Sequence, residues 1–339
     1  MTPAIFGFSG AKLTKDERSF FKDADPAGYV LFARNCIDAE QLRSLTDDLR
    51  SIHGREKLLV AIDQEGGRVA RLRPPEWGSY PSGETYHNLF QKAPISAIEA
   101  ARLGAEAMAI ELSYMGISVN FYPSLDVRCE SGHEVIGDRA LGYTAEQVAA
   151  LGKAILEGLE KGGVSGCVKH MPGHGRTNTD THHHLPVVKS TALELETDIK
   201  PFRILNQAPL GMTGHLLFDA WDKTSPATFS THIIQDIIRK NIGFDGLLLT
   251  DDIDMEALSG TVPERSLRAY EAGCDIVLNC WAKMSDMVKI AECLPAMNKK
   301  ETQRLEKALS STFLRTDLAD YSTLIAKRDD LLGQLGKVV

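Results

Sequence analysis

Eight short runs of β-forming residues recur along the chain, and segments with helical patterning separate most of them. The runs are Ala4 to Phe8, Gly28 to Phe32, Leu58 to Ile62, Ile117 to Phe121, Val164 to Val168, Leu210 to Thr213, Gly246 to Thr250 and Asp275 to Leu278. Several are continuously apolar rather than alternating, the pattern of strands covered on both faces. Helical patterning is read in Lys15 to Ala24, Ala39 to Ile52, Ile95 to Met115, Ala145 to Gly162, Leu193 to Asn206, His232 to Asn241 and Glu264 to Ala272. Thr14 precedes the first of these as an N-cap, with Glu17 at the capping-box position. Strand and helix alternating eight times predicts an α/β fold, a (β/α)8 TIM-like barrel, with a doubly wound open sheet as the alternative. No repeat, low-complexity tract or linker interrupts residues 1–339, so one domain is expected.

Polar residues stand where the runs end. The third ends at Asp63, the fourth leads to Asp126, the fifth ends at Lys169 and His170, and the sixth leads to His215. The seventh ends at Asp251 and Asp252, and the eighth leads to Asn279. In a parallel barrel all these ends lie on one face, where the connecting loops build a site. Solvated surface charges scattered at random would mark the opposite ends as strongly, and they do not.

Between Lys169 and Pro186 the chain reads KHMPGHGRTNTDTHHHLP and holds five of the ten histidines. Glycine, proline, asparagine and aspartate exclude helix and strand there, and a connection longer than about 12 residues is functional or disordered. The apolar run leading into Lys169 argues for an ordered loop. Asp180 and His182 are two apart, so an extended backbone projects them to the same side. A carboxylate on one imidazole nitrogen fixes the tautomer and leaves a proton donor on the other. The alternative is a solvated polar loop. His170, His174, Asp180, His182, His183 and His184 also make a set of possible metal ligands, but HExxH, a strand-end HxH and a cysteine pair are all missing, so no metal is expected.

Asp251, in GLLLTDDIDMEAL, follows a buried run and would be rigid and partly desolvated, as a nucleophile toward an acetal carbon should be. It could equally cap the next helix. In DQEGGRVARL, Asp63 and Arg71 offer a carboxylate and a fork-shaped guanidinium suited to vicinal hydroxyls, although a tight turn for the glycines and a solvated helix face for the arginines explain them too. GxGxxG and P-loop patterns are missing, so no nucleotide cofactor is expected. Arg139, in VIGDRALG, carries no information alone.

A net charge of −8 excludes a general affinity for nucleic acid or anionic membrane. No apolar stretch reaches the roughly 18 residues of a membrane span, and the N-terminal residues lack a signal-peptide pattern. Six scattered cysteines without a CxxC pair read as reduced thiols. The expectation is a cytoplasmic protein.

Taken together, GYVLFARN, IDQEGGRVARLRPP, NFYPSLDV with VIGDRALG, KHMPGHGRTNTDTH and LLLTDDIDM resemble glycoside hydrolase family 3 over nearly the whole chain. The likeness is to its NagZ-type bacterial β-N-acetylhexosaminidases of peptidoglycan recycling. The resemblance implies a single barrel in which Asp251 is the nucleophile and His182, oriented by Asp180, the acid/base. It places sugar binding on Asp63, Arg71, Arg139, Lys169 and His170. It implies no cofactor, a saccharide substrate containing N-acetylglucosamine, and a monomer. Many relatives draw a glutamate acid/base from a second domain, which the loop histidine would replace. Thr181 stands where the family usually has serine. A phosphorylase or transglycosylase, a metal-dependent hydrolase, and a non-catalytic sugar-binding barrel are the alternatives at this stage.

Overall fold

The computed structural model describes residues 1–129, 136–177 and 185–336. Eight parallel strands close into a barrel: β1 (Thr2–Phe6), β2 (Pro26–Leu31), β3 (Leu59–Ile62), β4 (Val119–Asn120), β5 (Ser165–Met171), β6 (Leu210–Thr213), β7 (Leu247–Asp252) and β8 (Ile276–Asn279). Each pairs with its neighbour in sequence, and β8 returns to β1 with Ile5 opposite Leu278. The open-sheet alternative is thereby excluded. Every run read from the sequence overlaps its strand, but β5 continues to Met171, so Lys169 and His170 lie inside a strand rather than beyond it.

Alternation along the strands divides the apolar residues between two clusters. Ile5, Val30, Ala61, Val119, Cys167, Met212, Leu249 and Leu278 fill the lumen, while Phe6, Tyr29, Val60, Val168, Leu248 and Val277 pack outward against the helices. Burial on both faces is why these strands read as unbroken apolar runs. At Gly28 a Cβ would lie 2.6 Å from the Leu59 carbonyl, so only glycine lets β3 approach β2 this closely.

The first helix spans Lys15–Ala24, with Thr14 and Glu17 closing the capping box. The segment Ile233–Ile242, expected as an ordinary helix, closes its turns i→i+5 instead. Helices Gly83–Lys92, Met284–Cys293, Lys299–Ala308 and Tyr321–Leu332 were not expected from the sequence. Lys299–Ala308 seals the N-terminal mouth of the barrel: Leu305, Ala308 and Leu309 join the lumen cluster, and Arg304 pairs with Asp245 and Asp275 at the feet of β7 and β8. Lys57, just before β3, donates to the Ser310 carbonyl at 2.7 Å. Among the described residues no helix is long and apolar enough to cross a membrane.

Candidate active site

The opposite, C-terminal mouth opens into a cavity of about 360 Å³ lined by Asp63, Arg71, Arg139, Lys169, His170, His174, Asp251 and Asp252, with Phe32, Phe121, Met212 and Met255 as apolar wall. Six of the eight residues expected in the site thus converge. Asp180 and His182 lie outside the described residues.

Five charged side chains form the floor. Lys169, 2% exposed, reaches Asp63 at 2.9 Å and Glu65 at 2.7 Å. Arg71 takes the second oxygen of Asp63 at 2.9 Å, and Arg139 grips Glu65 with two nitrogens at 2.7 and 2.9 Å. Burial alone would push both carboxyls up. Lys169 and Arg71 reverse this for Asp63, which stays well below the usual range, and Arg139 and Lys169 bring Glu65 to about 2. Burial would likewise strip Lys169 of its proton, but the two carboxylates hold it on. Gln64–Gly66 and Val69–Ala70 form a small antiparallel ribbon, not the helix face considered for the arginines, and Gly66 turns it at φ +97°. Arg71 Nε is buried with no hydrogen-bond partner among the described residues.

Glu65 had no role in the sequence reading. Its signal was there, because Asp63 and Glu65 are two apart and project to one side of an extended segment, as Asp180 and His182 were argued to do. Replacing Glu65 by glutamine removes stability that depends on pH in a defined way. The folded carboxyl lies below its ordinary value of 4.5, so the ion pairs contribute fully above about 4.5 and are lost as the pH falls toward about 2. The Tm difference between wild type and Glu65→Gln should therefore be largest at neutral pH and shrink across that acid window. A pH-independent difference in thermal melts would contradict these pairs.

Asp126 sits beneath the two histidines. It accepts from His170 Nδ1 at 2.7 Å, from the His174 backbone N–H at 2.7 Å and from Ser124 at 2.9 Å. Burial raises its carboxyl, but His170 outweighs this and brings it to about 2. The ring of His170 is thereby fixed with Nε2 as its remaining polar atom.

Asp251 ends β7. Burial opposes its ionisation, but the facing His170 and His215 rings and the Asp252 backbone N–H, donating at 2.8 Å, lower it, so it is a carboxylate near neutral pH. His215 is itself kept from protonating by burial, which leaves it a dipole rather than a charge toward Asp251. Neither aspartate of the pair caps a helix: the next one begins at Val262, behind Thr261. Asp252 differs from its neighbour. Burial and the close Asp254 carboxylate push its pKa well up, and Asp254 is anchored by Asn279 and by the N–H groups of Cys280 and Trp281. The two adjacent aspartates are therefore pushed in opposite directions, Asp251 toward the carboxylate and Asp252 toward the protonated acid. Among the described residues no three His, Cys, Asp or Glu side chains converge on a point that could hold a metal.

Residues 5–310 match the family described as the glycosyl hydrolase family 3 N-terminal domain. A β-hexosaminidase of Bordetella pertussis is 36% identical over 291 residues, 84% of this chain and 81% of that protein. One from Neisseria meningitidis serogroup B is 38% identical over 285 residues, 82% of this chain and 78% of that one. The crystal structure of NagZ from Neisseria gonorrhoeae in complex with N-trifluoroacetyl-D-glucosamine superposes with a TM-score of 0.88 at 31% identity, covering 98% of this chain and 97% of that one. The chain belongs to glycosyl hydrolase family 3 and is a glycoside hydrolase.

Proposed function

We propose that the chain is a retaining exo-β-N-acetylglucosaminidase. Its substrates are peptidoglycan fragments, muropeptides with terminal β-linked N-acetylglucosamine such as GlcNAc-β-1,4-anhydroMurNAc. It works in the cytoplasm as a monomer, with one catalytic domain over residues 1–339 and no cofactor. The observation that carries the reading is an ionised, rigidly held Asp251 facing a charged floor of Asp63, Arg71, Arg139 and Lys169 across a cavity of about 360 Å³, which suits one sugar ring. The β-hexosaminidase relatives and the sugar derivative bound by the gonococcal protein support the choice of sugar.

In this mechanism Asp251 attacks the anomeric carbon while His182, oriented by Asp180, protonates the leaving oxygen. The C–O bond to the leaving group breaks and a glycosyl–aspartyl ester forms. Water, deprotonated by His182, then cleaves the ester with retention. Asp63, Arg71, Arg139, Lys169 and His170 hold the sugar. Replacing His182 by alanine should cost natural substrates about 10²- to 10⁴-fold in kcat, and aryl glycosides with good leaving groups much less. Equal losses for both classes in steady-state assays would remove His182 from the role of acid.

Hydrolysis of a chromogenic N-acetyl-β-glucosaminide, compared with the β-glucoside and the β-galactosaminide, tests reaction and sugar together. Running it with and without phosphate tests the acceptor. Phosphate-dependent appearance of a sugar phosphate would replace hydrolysis by phosphorolysis, and no turnover of the glucosaminide would overturn the proposal.

A further inference from the structure

His174 has no place in the mechanism above, yet it lines the same cavity beside His170, with the two ring centroids 5.5 Å apart. It is 3% exposed, and its backbone N–H is committed to Asp126. Its side chain makes one hydrogen bond among the described residues, between Nδ1 and Thr177 Oγ1 at 3.0 Å. The same hydroxyl lies 3.1 Å from the His174 carbonyl oxygen.

That pair of distances decides where the protons are. A hydroxyl has one proton. Given to the carbonyl, it satisfies that oxygen and leaves Oγ1 as an acceptor, so Nδ1 must carry the ring proton. Given to Nδ1, it would leave two oxygens facing each other without a proton between them. The carbonyl also accepts the Thr177 backbone N–H at 3.4 Å, so what favours the first arrangement is that it avoids the bare contact between the two oxygens. Nε2 is then a bare lone pair, and it has no protein partner among the described residues although the ring lines the cavity. The environment keeps the ring neutral: burial, with His170 adding to it, lowers its pKa to about 4 against the opposing pull of Asp126 and Asp251.

We infer that His174 is a substrate-binding residue whose unprotonated Nε2 accepts a hydrogen bond from an O–H or N–H of the sugar, with Thr177 fixing the tautomer. The floor described above supplies mostly cationic donors, Arg71, Arg139 and Lys169, which suit sugar oxygens. A saccharide also presents donors, and a neutral acceptor serves them without adding a charge beside Asp251. The inference rests on the proposed saccharide activity and adds a residue that selects for a hydrogen-bond donor at one ring position.

The test pairs substrate groups with the side chain. Chromogenic N-acetyl-β-glucosaminides lacking one donor each (3-deoxy, 4-deoxy, 6-deoxy, and 2-acetoxy in place of 2-acetamido) are assayed with wild type, His174→Leu and His174→Gln. In wild type one analogue should lose about 10- to 100-fold in kcat/KM. His174→Leu should lose a similar factor on the parent substrate and nothing further on that analogue. His174→Gln, which keeps an acceptor, should recover most of the activity. Losses that simply multiply for every analogue would overturn the assignment and leave His174 a structural residue. Should the leucine variant fail to fold, ¹⁵N NMR of histidine-labelled wild type decides: Nε2 should resonate as an unprotonated nitrogen and move when N-acetylglucosamine saturates the site, and a protonated or unresponsive Nε2 refutes the inference. Wild type that hydrolyses no N-acetyl-β-glucosaminide is a different failure, that of the functional proposal, and takes this assignment with it.

Discussion

Asp251→Ala is expected to lower kcat by at least about 10⁴-fold, because a nucleophile removed from a rigid site leaves only binding and electrostatic stabilisation behind. No neighbour can substitute. Asp252, the adjacent carboxyl, is pushed toward its protonated form by burial and by Asp254, and its Oδ1 already accepts the Asp254 N–H at 3.1 Å. Asp63 is fully engaged by Lys169 and Arg71. Affinity for N-acetylglucosamine should change far less than turnover, since Asp251 lends its charge chiefly to the transition state. A small anion such as azide can enter the space vacated by the carboxylate. It should restore cleavage of an activated aryl glycoside, with the configuration at the anomeric carbon inverted. Near-normal kcat in the purified variant would remove Asp251 from the mechanism.

Lys169→Met should have the largest effect on stability. The ammonium is almost wholly buried, and its loss leaves Asp63 with Arg71 alone and Glu65 with Arg139 alone. Breaking a buried ion pair from one side costs about 3–5 kcal/mol, mostly as the penalty on the carboxylates left behind. With an unfolding entropy of about 2.1 cal/mol/K per residue, a chain of this length should then melt about 4–7 °C lower. Adding Glu65→Gln removes one of the stranded charges, so the double variant should melt above the level obtained by summing the two single losses. Additive losses in calorimetry would mean that Lys169 and Glu65 do not share one network.

The eight runs were legible because two-sided burial makes apolar composition continuous, and the barrel followed from their alternation with helices. Boundaries were harder. Lys169 and His170 read as the end of a run because they are polar, whereas β5 carries them within its length, and both line the cavity. The helix Lys299–Ala308, KKETQRLEKA, reads as solvated surface because two apolar residues suffice to plug a barrel mouth. Its one local signal is Asn298 with Glu301, a capping box. In the site, Asp63, Arg71, Lys169, His170 and Asp251 were readable from position, each at or near a strand end. Glu65 carried only its spacing from Asp63 and Asp254 carried no signal, since their roles come from partners far along the chain, such as Asn279, 25 residues beyond Asp254. Arg139 was uninformative alone for the same reason: its partner Glu65 lies 74 residues away.

The sealing of the lower mouth by Lys299–Ala308 also bears on how the chain reaches its native state. The lumen cannot be dry until Leu305 and Leu309 are in place, and β1 stays unpaired on one edge until β8 exists. The residues of β1 therefore wait for elements made much later in the chain. Such long-range closure is slow, and until then apolar strand edges are open to solvent and to other chains. Aggregation during synthesis, rather than loss of the finished fold, is where substitutions in this catalytically silent helix should do their damage.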